Sequence, residues 1–180
     1  MERAAAAAGG WDAVGAIAVG VGPGSFTGLR IGIATARALA AGLGLPASGV
    51  CTLDAIGRGL GAASGDSPVL AVLDARRGEV FAALYSAAGE RLWGPLVEAP
   101  GDLAKRLAEL PQAPLAGGSG ALRFRDELGV ETPADDDPVH RVAARHICAL
   151  AATDGTGSGA PAPIYLRAPD AERWRERDGA

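Results

Sequence analysis

Aromatic side chains make up only 4% of the 180 residues, so the 48% hydrophobic content is carried mainly by Ala, Val, Leu and Ile. Cys51 and Cys148 are the only cysteines and form no C-x-x-C pair, which reads as two buried thiols in a reducing cytosol rather than a disulfide framework. Lysine is nearly missing, with Lys105 alone among 17 basic residues, and the 21 acidic ones leave a net charge of −4. A free-standing nucleic-acid binder is thereby disfavoured, because counterion release needs a basic surface. The shortage of lysine beside abundant Ala and Gly fits a GC-rich coding sequence better than a functional demand. Long apolar runs are absent too. Arg30 and Arg37 interrupt the best candidate, so no segment reads as a membrane-spanning helix. The opening Met1-Glu2-Arg3, five alanines and two glycines read as too short and too weakly apolar for a signal peptide.

What is there alternates between strand-like and helix-like periods. Residues 14–21 form an apolar run rich in Val and Ile, a buried-strand pattern. A glycine-rich loop, Gly22-Pro23-Gly24-Ser25-Phe26-Thr27-Gly28, follows. A helix is predicted over 29–43, with Leu29, Ile33, Ala36, Ala40 and Leu43 along one stripe, stopped by Gly44 and Pro46. Then come a short strand over 47–51 and a small helix to about residue 60 that Thr52 can cap. The period changes at 69–73, 79–85 and 91–97, three strand-like runs with turn signals between them. A helix over 101–110, a short strand over 114–116 and a helix over 121–128 follow. Asp137-Pro138 predicts an N-cap and first helical position for a helix to about 152. A Gly/Ser/Pro link over 155–163, the extended Ile164-Tyr165-Leu166 and a charged tail from Asp170 complete the chain.

Each chemical motif has a plain competitor. The Gly22–Gly28 loop before a helix resembles a phosphate cradle, but it lacks both common phosphate-loop spacings and any nearby lysine, and a tight strand-to-helix turn is the favoured reading. Ser25 lacks the glycines two residues to either side that a nucleophile elbow needs. His140 and His146 fall on one predicted helix, where six positions separate them by about 120° around the axis, too far to share a metal. The run Asp135-Asp136-Asp137 is explained by a solvated loop and a helix cap, and the arginines of the tail alternate with acids.

The string from Gly22 to Gly32 continues through Gly28-Leu29-Arg30-Ile31-Gly32, with Ala34-Thr35-Ala36-Arg37-Ala38 after it. It closely resembles the signature of the bacterial TsaB (YeaZ) family. Two further stretches agree, Leu73-Asp74-Ala75-Arg76-Arg77-Gly78-Glu79-Val80-Phe81 and Pro163-Ile164-Tyr165-Leu166-Arg167. The resemblance implies a two-lobed α/β fold of the actin-like (ASKHA, ribonuclease H-like) kind, in a cytoplasmic protein without activity or cofactor of its own. It implies pairing with TsaD, a catalytic paralogue that carries metal and nucleotide. That complex transfers a threonylcarbamoyl group to the adenosine beside the anticodon of tRNAs reading ANN codons, with TsaE as a further ATPase partner. tRNA would be met only through the complex, and pairing with a second copy is a further expectation.

The order β-β-β-α-β-α over 69–152 matches one actin-like half. Members of the family usually open with a strand-rich segment ahead of the signature loop. Residues 1–65 are therefore expected to be a first lobe lacking its opening strands, 66–154 a second lobe, and 155–180 a linker and tail. An exposed strand edge at 14–21 is expected to promote association. Actin-like ATPases typically carry Asp-x-Gly at the first hairpin, whereas this chain has Asp74-Ala75-Arg76 and no paired-histidine motif. Both departures favour a non-catalytic role over the alternative, a nucleotide phosphotransferase or peptidase-like enzyme acting alone. Small side chains on the 29–43 helix suit close helix packing. Leu29, Arg30, Ile33, Ala34 and Arg37 are the expected partner contacts.

Overall fold

Strand β3 (Val69–Arg76) is apolar on both faces, and both faces are covered. Its alternate residues Leu70 and Val72 join Leu103, Leu107 and Leu128 in one core. Val69 and Ala71 point the other way, into a second core with Leu53, Ile56 and Leu60. Period-two alternation with helices on either side makes three layers, which is why the run reads as continuously hydrophobic. The computed structural model describes residues 2–7, 9–153 and 160–167. The charged tail and most of the Gly/Ser/Pro link lie outside them.

After α1 (Glu2–Ala7) the described residues hold β1 (Ile17–Gly22), α2 (Phe26–Leu43), β2 (Ala47–Cys51) and α3 (Thr52–Gly61). Strands β1 and β2 pair in parallel as a two-stranded sheet, joined by the α2 crossover. The second part adds β4 (Glu79–Tyr85), β5 (Arg91–Glu98), α4 (Pro100–Ala108), β6 (Leu115–Gly117), α5 (Ser119–Arg123), α6 (Arg125–Leu128) and α7 (Ala144–Thr153). Its sheet order is β5-β4-β3-β6, antiparallel except for the parallel β3–β6 pair. The predicted meander is therefore present. The expected α/β architecture is observed.

Several elements depart from the sequence reading, each for an identifiable physical reason. Helix α2 begins three residues early because Ser25 is its N-cap, accepting from the Gly28 N–H at 3.5 Å. Thr52 is not a cap: Cys51 holds that position, and the Thr52 hydroxyl accepts from the Gly22 N–H at 3.2 Å instead. The helix expected over 121–128 is two pieces, broken where Phe124 turns to φ −115°, ψ 23°. Asp137 does cap Pro138, through the Val139 N–H, but only a single 3₁₀ turn follows. Arg141 is extended there, and the helix resumes at Ala144. The buried His140 imidazole explains the break. Its Nδ1 accepts from the Gly118 N–H at 3.2 Å, and Nε2 lies 3.0 Å from the Ala134 carbonyl. His140 and His146 thus sit on separate elements rather than on one helix.

The helices do not respect the expected lobe boundary near residue 65. Helix α3 packs Leu53, Ile56 and Leu60 onto the four-stranded sheet. Helix α7 returns to the first sheet, where Ile147 joins Val50 and Ala55, with Ala18, Leu150 and Ala151 around them. Cys51 is buried as expected, whereas Cys148 is exposed because it lies off the buried row of α7. Among the described residues no helix is long and apolar enough to cross a membrane.

Candidate functional site

The three stretches that carry the family resemblance are far apart in sequence, yet they line one cleft of about 630 Å³. Pro23, Gly24, Ser25 and Phe26 come from the turn after β1, Ala75, Arg76, Arg77 and Phe81 from the β3–β4 hairpin, and residues 164–167 close the third side. Strand β1 meets the last segment directly. The Ile164 N–H donates to the Val21 carbonyl at 2.7 Å. Gly22 has φ 112°, and a Cβ there would lie 2.8 Å from the Ile164 carbonyl oxygen. Only glycine permits that approach. The loop's N–H groups at Gly22 and Gly28 already have the acceptors Thr52 and Ser25. Its glycines thus serve a turn and a close chain contact.

The hairpin wall is built around Asp74. Its carboxylate accepts from the Arg76 N–H at 2.8 Å and from the Arg123 guanidinium at 2.7 Å, while the Asp74 N–H donates to Ser119 Oγ. Burial works against the ionised form, but the Arg76 N–H and Arg123 outweigh it and hold the carboxyl below its usual range. Arg76 itself has φ 63°, at the register shift between Asp74 and Arg76. Arg77 and Gly78 follow at φ 56° and 75°, the positive values that a two-residue hairpin turn requires. Arginine thus occupies a glycine-like backbone position at the place where actin-like ATPases are expected to carry glycine. The left-handed conformation costs about 1–2 kcal/mol, and the looser unfolded chain of a glycine variant offsets part of that. Arg76→Gly is therefore expected to stabilise the fold by about 0.5–1 kcal/mol, read as a higher urea midpoint; a lower midpoint would show that the exposed Arg76 side chain contributes more than its backbone costs.

The third wall is fixed by Arg167, which donates to the Ala75 carbonyl at 3.2 Å and pairs with Glu79. Beside it Tyr165 reaches α2. Its hydroxyl accepts from Arg30 Nε at 3.2 Å, its ring lies 5.5 Å from that of Phe26, and the Arg30 guanidinium stacks 3.8 Å above Phe26. Phe26 and Tyr165 nevertheless remain about half exposed. Among the described residues no group of three His, Cys, Asp or Glu side chains could hold a metal ion.

The expected partner contacts divide between two faces of α2. Arg30, Ala34 and Arg37 are exposed and Leu29 is half-buried, packed toward Gly22 and Gly24. Ile33 is only 5% exposed and belongs to the buried row with Ala36 and Ala40. Its neighbour Ile31, which the stripe argument passed over, is 63% exposed. Helical spacing carried the signal, since Ile31 falls off the Leu29–Ile33–Ala36–Ala40 row.

The family model described as "TsaD: tRNA N6-adenosine threonylcarbamoyltransferase" matches residues 2–127. An uncharacterized protein of Mycobacterium tuberculosis is 42% identical over 159 residues, covering 87% of this chain and 66% of that protein. The tRNA threonylcarbamoyladenosine biosynthesis protein TsaB of Escherichia coli is 48% identical over 80 residues, which are 44% of this chain and 35% of TsaB. The chain thus spans less than two thirds of the length of these curated relatives. Among solved structures, a Pseudomonas aeruginosa protein described as similar to peptidase YEAZ superposes with TM-score 0.75 at 29% identity, over 92% of this chain and 80% of that one. YeaZ from the same organism gives 0.67 at 28%, over 89% and 79%. With the family model over residues 2–127 and TsaB and YeaZ proteins on both sides of the comparison, the chain belongs to this threonylcarbamoyltransferase family, in its TsaB (YeaZ) group.

Proposed function

We propose that the chain is a non-catalytic subunit in tRNA threonylcarbamoyladenosine biosynthesis, holding TsaD in a transfer-competent complex that modifies the adenosine beside the anticodon of tRNAs reading ANN codons. TsaE joins as a further partner, and the nucleotide and metal reside on TsaD. The observation that carries the reading is the outer face of α2. Ile31 stands 63% exposed beside the small exposed Ala34 and Ala38, with Arg30 and Arg37 at its sides. Small residues let a partner helix approach closely, and an exposed isoleucine supplies an anchor of about 1.5–3 kcal/mol when covered. The hairpin supports the same reading, because the Asp74 carboxylate is already held by Arg76 and Arg123.

Co-purification with TsaD tests the proposal. Ile31→Asp is expected to abolish capture of TsaD while the chain's melting temperature stays unchanged. Ile33→Asp is expected to lower the melting temperature sharply, since it places a carboxylate at a buried position. Undiminished capture by Ile31→Asp would remove α2 from the interface. Reconstitution with TsaD, TsaE, threonylcarbamoyl-adenylate and tRNA tests the role itself: modification should need this chain, and product formed by this chain alone would overturn the proposal.

A further inference from the structure

A second cavity, of about 500 Å³, opens on a different part of the molecule, between α3, the β4–β5 turn and the start of α7. Its floor is small and apolar, with Gly57, Gly61, Val69 and Ala149. Three cationic or imidazole side chains line it, Arg58 from α3 and Arg145 and His146 from α7, and no carboxylate does so among the described residues. In a chain of net charge −4 that local balance is unusual. Several other arginines that anchor elements here have an acid beside them, as Arg91 has Asp54 and Arg106 has Glu98. Neither Arg58 nor Arg145 forms an ion pair with a described residue.

The imidazole is placed by the backbone. His146 lies over Gly59, where a Cβ would stand only 3.3 Å from Nε2, so a larger residue there would push the imidazole from its present place. Burial, then Arg145 and Arg58, hold the His146 pKa below its usual value. A negative charge in the cavity would relieve that pressure. The first turn of α7 adds the positive end of its dipole, since the His146 and Ile147 N–H groups are the first to find partners, both on the Ala143 carbonyl. Guanidinium forks match phosphate oxygens in pairs, and imidazole supplies a third donor.

We propose that Arg58, Arg145 and His146 form a binding site for a phosphate ester, carried either by a mononucleotide or by an RNA backbone. The site is independent of the partner reading of α2. Two probes separate the sources: AMP, followed by calorimetry, and an unmodified RNA hairpin, followed by fluorescence anisotropy at low salt. At least one should bind saturably to the full chain. Arg58→Ala combined with Arg145→Ala should weaken it at least tenfold, and the double lysine variant should retain part of the affinity. Arg141→Ala, an exposed change outside the cavity, should leave binding unchanged. Because both cavity arginines are exposed, thermal melts of the variants should coincide with that of the parent chain. Whichever probe binds should also raise the His146 pKa read by NMR. AMP binding assigns a mononucleotide, and binding of the hairpin alone assigns an RNA backbone. Absence of saturable binding by both, an equal loss in Arg141→Ala, or a His146 titration that does not move would overturn the site.

Discussion

Gly118→Ala is expected to destabilise the chain by about 3–5 kcal/mol, enough to leave much of a marginally stable domain unfolded. Gly118 has φ 107° and ψ 169°, a region that side chains with a Cβ do not tolerate. A Cβ there would also stand 2.2 Å from the Val72 carbonyl oxygen, so strain and overlap fall on the same atom. The neighbouring glycines are nearly as confined: a Cβ at Gly117 would meet Leu60 at 2.6 Å, and one at Gly120 the Leu73 carbonyl carbon at 2.8 Å. This is where β6 turns into α5 over the middle of β3. Gly129 is the control, because it has φ 62° with nothing within 4 Å, and its alanine variant should lose only about 1–2 kcal/mol. Urea denaturation compares them. Equal losses would show that β3 and β6 can move apart without cost.

The second large effect is expected at Asp54. Its carboxylate accepts from the Tyr85 hydroxyl at 2.7 Å and from Arg91 at 2.5 Å, tying α3 to β4 and β5. Burial, then the adjacent carboxylate, drives the Tyr85 phenol far above its usual pKa, so it remains a donor at every working pH. The Cys51 thiol is likewise raised, by burial and then by Asp54. Asp54→Ala strands a buried hydroxyl and should cost about 2–4 kcal/mol. Tyr85→Phe, which removes only one hydrogen bond, should cost about 1 kcal/mol. Arg91→Ala should cost less than ~1 kcal/mol, because water reaches the guanidinium and replaces much of the ion pair. Chemical melts rank the three. A loss for Arg91→Ala as large as that for Asp54→Ala would place the energy in the charge pair rather than in the buried hydroxyl.

Local chemistry made most elements legible. The β3–β4–β5 meander, the parallel β1–α2–β2 unit and the Gly44 stop all follow from period and punctuation read within a dozen residues. Gly44 caps α2 at φ 65°. What escaped depends on distant partners. Asp137 offers a proper cap, but the helix it should start is broken because His140 is drawn to Gly118 and Ala134. Thr52 looks like a cap and is claimed by Gly22. The cleft itself could be guessed only as three similar stretches; that they share walls depends on β3, β1 and residues 164–167 meeting in space. The cavity lined by Arg58 and His146 has no sequence signal, since its residues are 88 positions apart in the chain and neither belongs to a motif.

The segment from 160 to 167 touches both sheets at once. Ile164 is bonded to the end of β1, and three residues later Arg167 grips Ala75 and Glu79 on the β3–β4 hairpin. It works as a tether between them: a rotation that parted one sheet from the other would have to release the Ile164 amide or the Arg167 fork. A partner that wedged the sheets apart would therefore have to supply the energy of at least one of these attachments.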